Sequence, residues 1–124
     1  MTHPALRLDD VVHQRVRLGI LAVLEETSRA DFGYLKGVLD LTDGNLSRHI
    51  SVLEEAGLID VEKGFENRRG RTWISVTPLG REALKSQLAA LRELIDRVAA
   101  ASAEPQAPAS GRARGQDSAS ARPS

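Results

Sequence analysis

Apolar residues along this chain recur first with a helical period and then with an alternating one. From Leu8 to Glu26 the spacing predicts a helix, broken near His13, with Val16, Ile20 and Leu24 on one face. Asp31 is placed to cap a short helix that runs to about Leu39 and buries Phe32, Leu35 and Leu39. Asp40-Leu41-Thr42 reads as a turn. The next helix is expected over residues 42–56, with Leu46, Ile50 and Leu53 in register, and it stops at Gly57, which suits a left-handed C-terminal cap. The period then changes. Leu58–Lys63 alternates, with Ile59 and Val61 on one side; Arg71–Val76 places Thr72, Ile74 and Val76 on one face and Trp73 on the other. Between them GFENRRG is too polar for a core and has the length of a hairpin tip. Thr77-Pro78 opens a last helix as N-cap and N1, running to about Ala101. The expected order is helix, helix, helix, strand, strand, helix: a mainly α fold with a small β-hairpin wing, a winged helix-turn-helix.

The helix at 42–56 has two unlike faces. Projected at about 100° per residue, Leu46, Ile50 and Leu53 cluster with His49 at their edge, while Gly44, Arg48 and Ser51 lie opposite, flanked by Asn45 and Ser47. An ordinary solvent face would carry Lys, Glu and Gln, which favour helix. Here the first turns expose Gly, Asn, Ser and Arg, and the acids Glu54 and Glu55 come only at the far end. Such a bare face suits a DNA major groove, where Arg48 can bond guanine bidentately and Asn45 adenine. Thr42, Gly44, Asn45, Ser47, Arg48 and Ser51 are its candidate DNA contacts. Asp43 reads as a first-turn acid favoured by the helix dipole, or as an acceptor from a cytosine amino group. His49 reads as a packed, hydrogen-bonded residue ahead of a phosphate contact or a pH switch.

In the hairpin, Lys63, Arg68, Arg69 and Arg71 are opposed by Glu66. Long cations at a hairpin tip can enter a narrow minor groove, where the potential is most negative; the bland alternative is a loop kept soluble by charge. In the last helix Leu84, Leu88, Leu91, Ile95 and Val98 form a heptad seam, expected to make a homodimer contact, the alternative being packing within one chain.

Composition narrows the functions available. At 124 residues and 41% hydrophobic content, the chain is expected to form one small domain over residues 1–102. Residues 103–124, rich in Ala, Pro, Ser and Arg, are expected to be a disordered tail, since they bury too little to offset ordering entropy. No stretch approaches the ~18–20 apolar residues of a membrane span, and MTHPALRLDD lacks a secretory pattern, so a cytoplasmic location is expected. Cysteine is absent, which removes disulfides, thiolate metal sites and cysteine catalysis; with three histidines a histidine-rich metal site is not expected either. No nucleophile–base arrangement or Gly-rich phosphate loop points to an enzyme, and no cofactor is expected. Seventeen basic and seventeen acidic residues balance. Neutrality argues against a non-specific coat on nucleic acid and leaves open a winged-helix module that binds protein and no DNA.

With these features in place, the chain resembles the small bacterial winged-helix transcriptional regulators near the MarR and ArsR groups. The resemblance lies in "LTDGNLSRH…VLEEAGL", "KGF…RR.RTW" and "T..GR.AL", and covers roughly residues 8–98. It implies a homodimer on a pseudo-palindromic operator, usually as a repressor. It implies base or backbone contacts at Gly44, Asn45, Ser47 and Arg48, and minor-groove or phosphate contacts at Arg68 and Arg69. The paired cysteines with which many ArsR-type proteins sense metals are missing, and no small-molecule effector can be read from the residues.

Overall fold

In the computed structural model, which describes residues 3–103, a 3-10 turn at Pro4–Arg7 precedes helices α1 (Asp10–His13) and α2 (Arg15–Thr27). A short strand β1 (Arg29–Asp31) leads into α3 (Phe32–Leu39) and α4 (Asp43–Glu55). Strands β2 (Ile59–Glu66) and β3 (Arg69–Val76) form the wing, and α5 spans Pro78–Ala103. Of the expected disordered tail, Ala103 is the last residue of α5, and residues 104–124 lie outside the described residues. Among the described residues no helix is long and apolar enough to cross a membrane.

The capping residues act where the sequence puts them. Asp31 Oδ1 accepts from the Tyr34 amide at 2.7 Å, Thr42 Oγ1 from Asn45 at 3.2 Å, and Thr77 Oγ1 from Gly80 at 2.9 Å. The expected break near His13 falls at Gln14, whose side chain caps α2 through Val16 and Arg17. Gly57 takes a positive φ of 79° and closes α4.

The core joins Ile20, Leu21 and Leu24 of α2 to Leu35, to Leu46, Ile50 and Leu53 of α4, and to Ile59 and Ile74 of the sheet. Phe32 and Leu39 are half-buried against it. The chain divides into two units, residues 1–93 and 94–124. The first holds the core; the described part of the second is the end of α5, where Ile95 and Val98 are 65% and 59% exposed.

Two features differ from the expected order. The sheet has three strands, β1-β3-β2, all antiparallel, with Ala30 opposite Ile74 and Ile59 opposite Val76. The hairpin tip is also shorter than GFENRRG. Pairing continues through Gly64 with Arg71, Phe65 with Gly70 and Glu66 with Arg69, leaving Asn67-Arg68 as the turn. Both turn residues have positive φ, 52° and 68°. That is the mirror-image geometry whose twist matches a two-stranded ribbon.

The heptad seam is also divided. Leu84 is 5% exposed and belongs to the chain's own core, so it is not available as an interface residue. Leu88 is the first of the run to face solvent, with Leu91 half-buried.

Candidate nucleic-acid interface

Helices α3 and α4 are joined by the turn Asp40-Leu41-Thr42. Asp40 takes a left-handed conformation (φ 54°), and the Leu41 amide donates to the Lys36 carbonyl at 3.0 Å. Lys36 Nζ also reaches Asp43 Oδ1 at 2.8 Å, which ties the end of the first helix to the start of the second. Asp43, read from sequence as a dipole acid, thus has a specific partner.

The outward face of α4 is open. Thr42, Gly44, Asn45, Ser47, Arg48 and Ser51 are all exposed, and a Cβ on Gly44 would have nothing within 4 Å. Arg48 Nη2 donates to Asn45 Oδ1 at 3.3 Å, so the two side chains suited to base edges already lie together. Ser47, Ser51 and Glu54 line a groove of about 360 Å³ whose far side is Val61, Lys63 and Thr72. The groove joins the helix face to the wing.

The four wing cations expected to act together are separated by the structure. Arg71 forms an ion pair with Asp31 and another with Glu66 at 3.0 Å, and it approaches the Trp73 ring at 5.7 Å. Arg29 stacks on the same ring at 3.9 Å. Arg71 is therefore occupied in bracing the wing base against the start of α3. Among the described residues the side chains of Lys63, Arg68 and Arg69 have no ion pair or hydrogen bond. Arg68 sits at the turn apex with positive φ, a conformation costing a non-glycine residue about 1–2 kcal/mol. Glycine would be the cheaper residue there, so the sequence keeps a cation at the tip against local preference.

His49 holds α4 from behind. It is 8% exposed, and its Nδ1 lies 3.2 Å from Arg17 Nη1. Arg17 in turn donates to the Val11 carbonyl at 2.6 Å and the Asp10 carbonyl at 3.4 Å. A guanidinium only donates, so Nδ1 must accept and the imidazole is neutral with its proton on Nε2. Burial, then Arg17, then Arg48 push its pKa below the ordinary 6.5. The unfolded chain therefore binds the proton more readily, and stability falls as pH drops through the ordinary value toward the lowered one. Chemical denaturation at pH 7.5 and pH 5.5 checks this. Wild type is expected to lose more stability on acidification than His49→Asn, whose Oδ1 takes the place of Nδ1 as acceptor from Arg17; parallel losses would refute it.

Sequence reading missed three of these features. Arg17 gives no local sign of its role, because its partners lie on α1 and α4. The Lys36–Asp43 pair depends on the turn geometry. Phe65, an aromatic in a polar tip, was visible but unexplained, and it is 85% exposed.

The geometry defines a helix-turn-helix with a cationic wing, and comparison places it. The profile of the winged helix DNA-binding domain matches residues 16–95, and the chain belongs to that family. It is 40% identical over 79 residues to the uncharacterized protein MJ0432 of Methanocaldococcus jannaschii, a match covering 64% of this chain and 86% of that protein. A transcriptional regulator homologue from Pyrococcus horikoshii OT3 is also 40% identical, with a TM-score of 0.68, covering 71% of this chain and 87% of that one. A MarR-family regulator from Silicibacter pomeroyi shares the fold at 22% identity and a TM-score of 0.57, covering 77% of this chain and 64% of that one. The two relatives at 40% identity are archaeal, so the bacterial part of the expected resemblance is not supported by them.

Proposed function

We propose that this chain is a sequence-specific transcriptional regulator that inserts the N-terminal half of α4 into the major groove and lays its wing on the adjacent minor groove. The observation that carries this is the open α4 face, with Gly44 at its centre and Asn45 and Arg48 paired on it. Arg48 and Asn45 act as base readers, and Thr42, Ser47 and Ser51 as short polar contacts. Lys63, Arg68 and Arg69 neutralise phosphates or enter the minor groove, and Arg71 supports the wing that presents them. Membership of a DNA-binding family supports the same assignment.

The regulator is proposed to act as a homodimeric repressor on a pseudo-palindromic site, with Leu88, Leu91, Ile95 and Val98 of α5 as the contact. The support is their heptad spacing and the exposure of Leu88, Ile95 and Val98. Residues 1–102 form the working domain in this reading, and residues 103–124 serve as a tail.

Selection of bound duplexes from a random-sequence pool tests the reading. Recovered sites should contain two inverted half-sites about 34–36 Å apart, one helical turn or a multiple of it. A lone half-site would refute the dimer, and failure to recover any sequence would refute DNA recognition. On a recovered duplex, the double substitution Arg68→Ala/Arg69→Ala should weaken binding. It should also flatten log K against log salt by about 0.9 for each phosphate no longer neutralised. Unchanged affinity with an unchanged slope would remove the wing from the interface.

A further inference from the structure

We propose that Phe65 is an apolar wedge that enters the minor groove of bound DNA and unstacks a base step, so that the wing senses how readily a site deforms. The inference deepens the regulator reading and rests on it.

Phe65 is the most exposed large apolar residue among those described, at 85%. Alternation along β2 places it on the sheet face of Val61 and Lys63, the face that α4 borders through Ser47 and Ser51. Lys63 and Thr72 line both the groove against α4 and a further hollow of about 290 Å³ walled by Phe65 and Gly70. The ring thus stands on the α4 side of the wing, beyond the recognition face.

One glycine leaves it uncovered and a second thins the strand behind it. Gly70 is the cross-strand partner of Phe65, and Gly64 precedes it. Neither has a positive φ, and a Cβ on either would meet nothing within 4 Å. Backbone conformation and packing therefore do not require glycine at these places. Glycine weakens a strand and marks positions where another molecule comes close. Here Gly70 leaves the ring's own face open and Gly64 thins the opposite face, so the hairpin is slender, which a minor groove only ~6 Å wide demands.

Charge selects the partner. Near the ring, Lys63 on the same face and Arg68 at the turn are unpaired among the described residues, as is Arg69 on the opposite face, and the nearby acid Glu66 is satisfied by Arg71. An aromatic ring amid free cations matches a polyanion whose interior is stacked apolar faces. Minor-groove proteins use such side chains as wedges between base steps. An apolar protein patch would leave those three cations unmatched.

The test uses a duplex recovered by the wild-type chain from the random pool, with 2-aminopurine placed at successive steps across the wing's footprint. Wild type should raise the fluorescence at one step, which reports unstacking. Phe65→Ala should abolish that rise and bind about 10-fold more weakly, in keeping with the loss of one aromatic–base stack. Its melting temperature should be nearly unchanged, since the side chain is 85% exposed. Its salt slope should also be unchanged, since the same cations still neutralise the same phosphates. Phe65→Leu, an apolar wedge without an aromatic face, should keep the unstacking and recover only part of the affinity. Unchanged affinity of Phe65→Ala, or no step unstacked by wild type, overturns the wedge and leaves the regulator reading intact. If wild type recovers no DNA, the regulator reading fails and the wedge falls with it.

Discussion

Gly44→Leu is expected to fold as well as wild type and to lose DNA binding by about 100-fold or more, the equivalent of two bidentate base contacts. The two halves of that result have separate causes. A Cβ at this position meets nothing within 4 Å, so the larger side chain displaces no neighbour. In an exposed helical position leucine is favoured over glycine by up to about 1 kcal/mol, so thermal stability should hold or rise slightly. On the DNA side, Gly44 is at the centre of the face that carries Asn45, Ser47, Arg48 and Ser51. An isobutyl group there would hold the helix away from the base edges and withdraw Asn45 and Arg48 together. Circular dichroism melting and fluorescence anisotropy on one recovered duplex measure the two halves side by side. Full affinity in the variant would mean that this end of α4 never enters the groove.

Gly80→Ala is expected to produce the largest loss of stability from a single added methyl group, about 3 kcal/mol, at the upper end of overpacking costs. Gly80 lies in the first turn of α5, where the helix passes over the start of β2. A Cβ would fall inside the Leu58 carbonyl oxygen, 3.0 Å from its carbon and 2.8 Å from Val76 Cγ2. That carbonyl cannot retreat freely, because it accepts from the Thr77 amide at 3.0 Å. Thr77 is fixed in turn by donating its hydroxyl to the Gly57 carbonyl at 2.7 Å. Alanine's better helix propensity, worth about 1 kcal/mol, offsets only part of the clash. Urea unfolding gives the difference directly, and an unchanged midpoint would show that α5 can lift off without cost.

The contrast between these two glycines shows how much the sequence disclosed. Gly44 was legible, because its position on a projected helix already separated it from Leu46, Ile50 and Leu53. Gly80 gave no such sign, since its requirement comes from a carbonyl 22 positions earlier in the chain. The same division runs through the site. Arg68 and Arg69 lie at the hairpin end, and the structure leaves both side chains unpaired among the described residues. Arg71 looked identical in sequence, yet pairing of β1 with β3 brings Asp31 beside it. Strand β1 itself escaped notice because three residues carry no usable alternation. It exists because the β3 edge is there to receive its backbone groups. The outer hairpin escaped for a related reason: where neither face is buried, as from Gly64 to Arg71, strands lose the polar–apolar pattern that announces them.

By itself, then, the sequence determined much of what acts over a few residues. It set the helix starts at Asp31, Thr42 and Thr77, the stop at Gly57, the two unlike faces of α4 and the change from helical to alternating period. These follow from capping groups and side-chain periodicity, which operate within one or two turns. Only the tertiary structure decided which cations remain free, that Leu84 packs in the core, that His49 accepts from Arg17, and that Phe65 stands uncovered on the α4 side of the wing. Each of those depends on a partner distant in sequence, and a side chain's charge state and exposure are set by whatever the fold places against it.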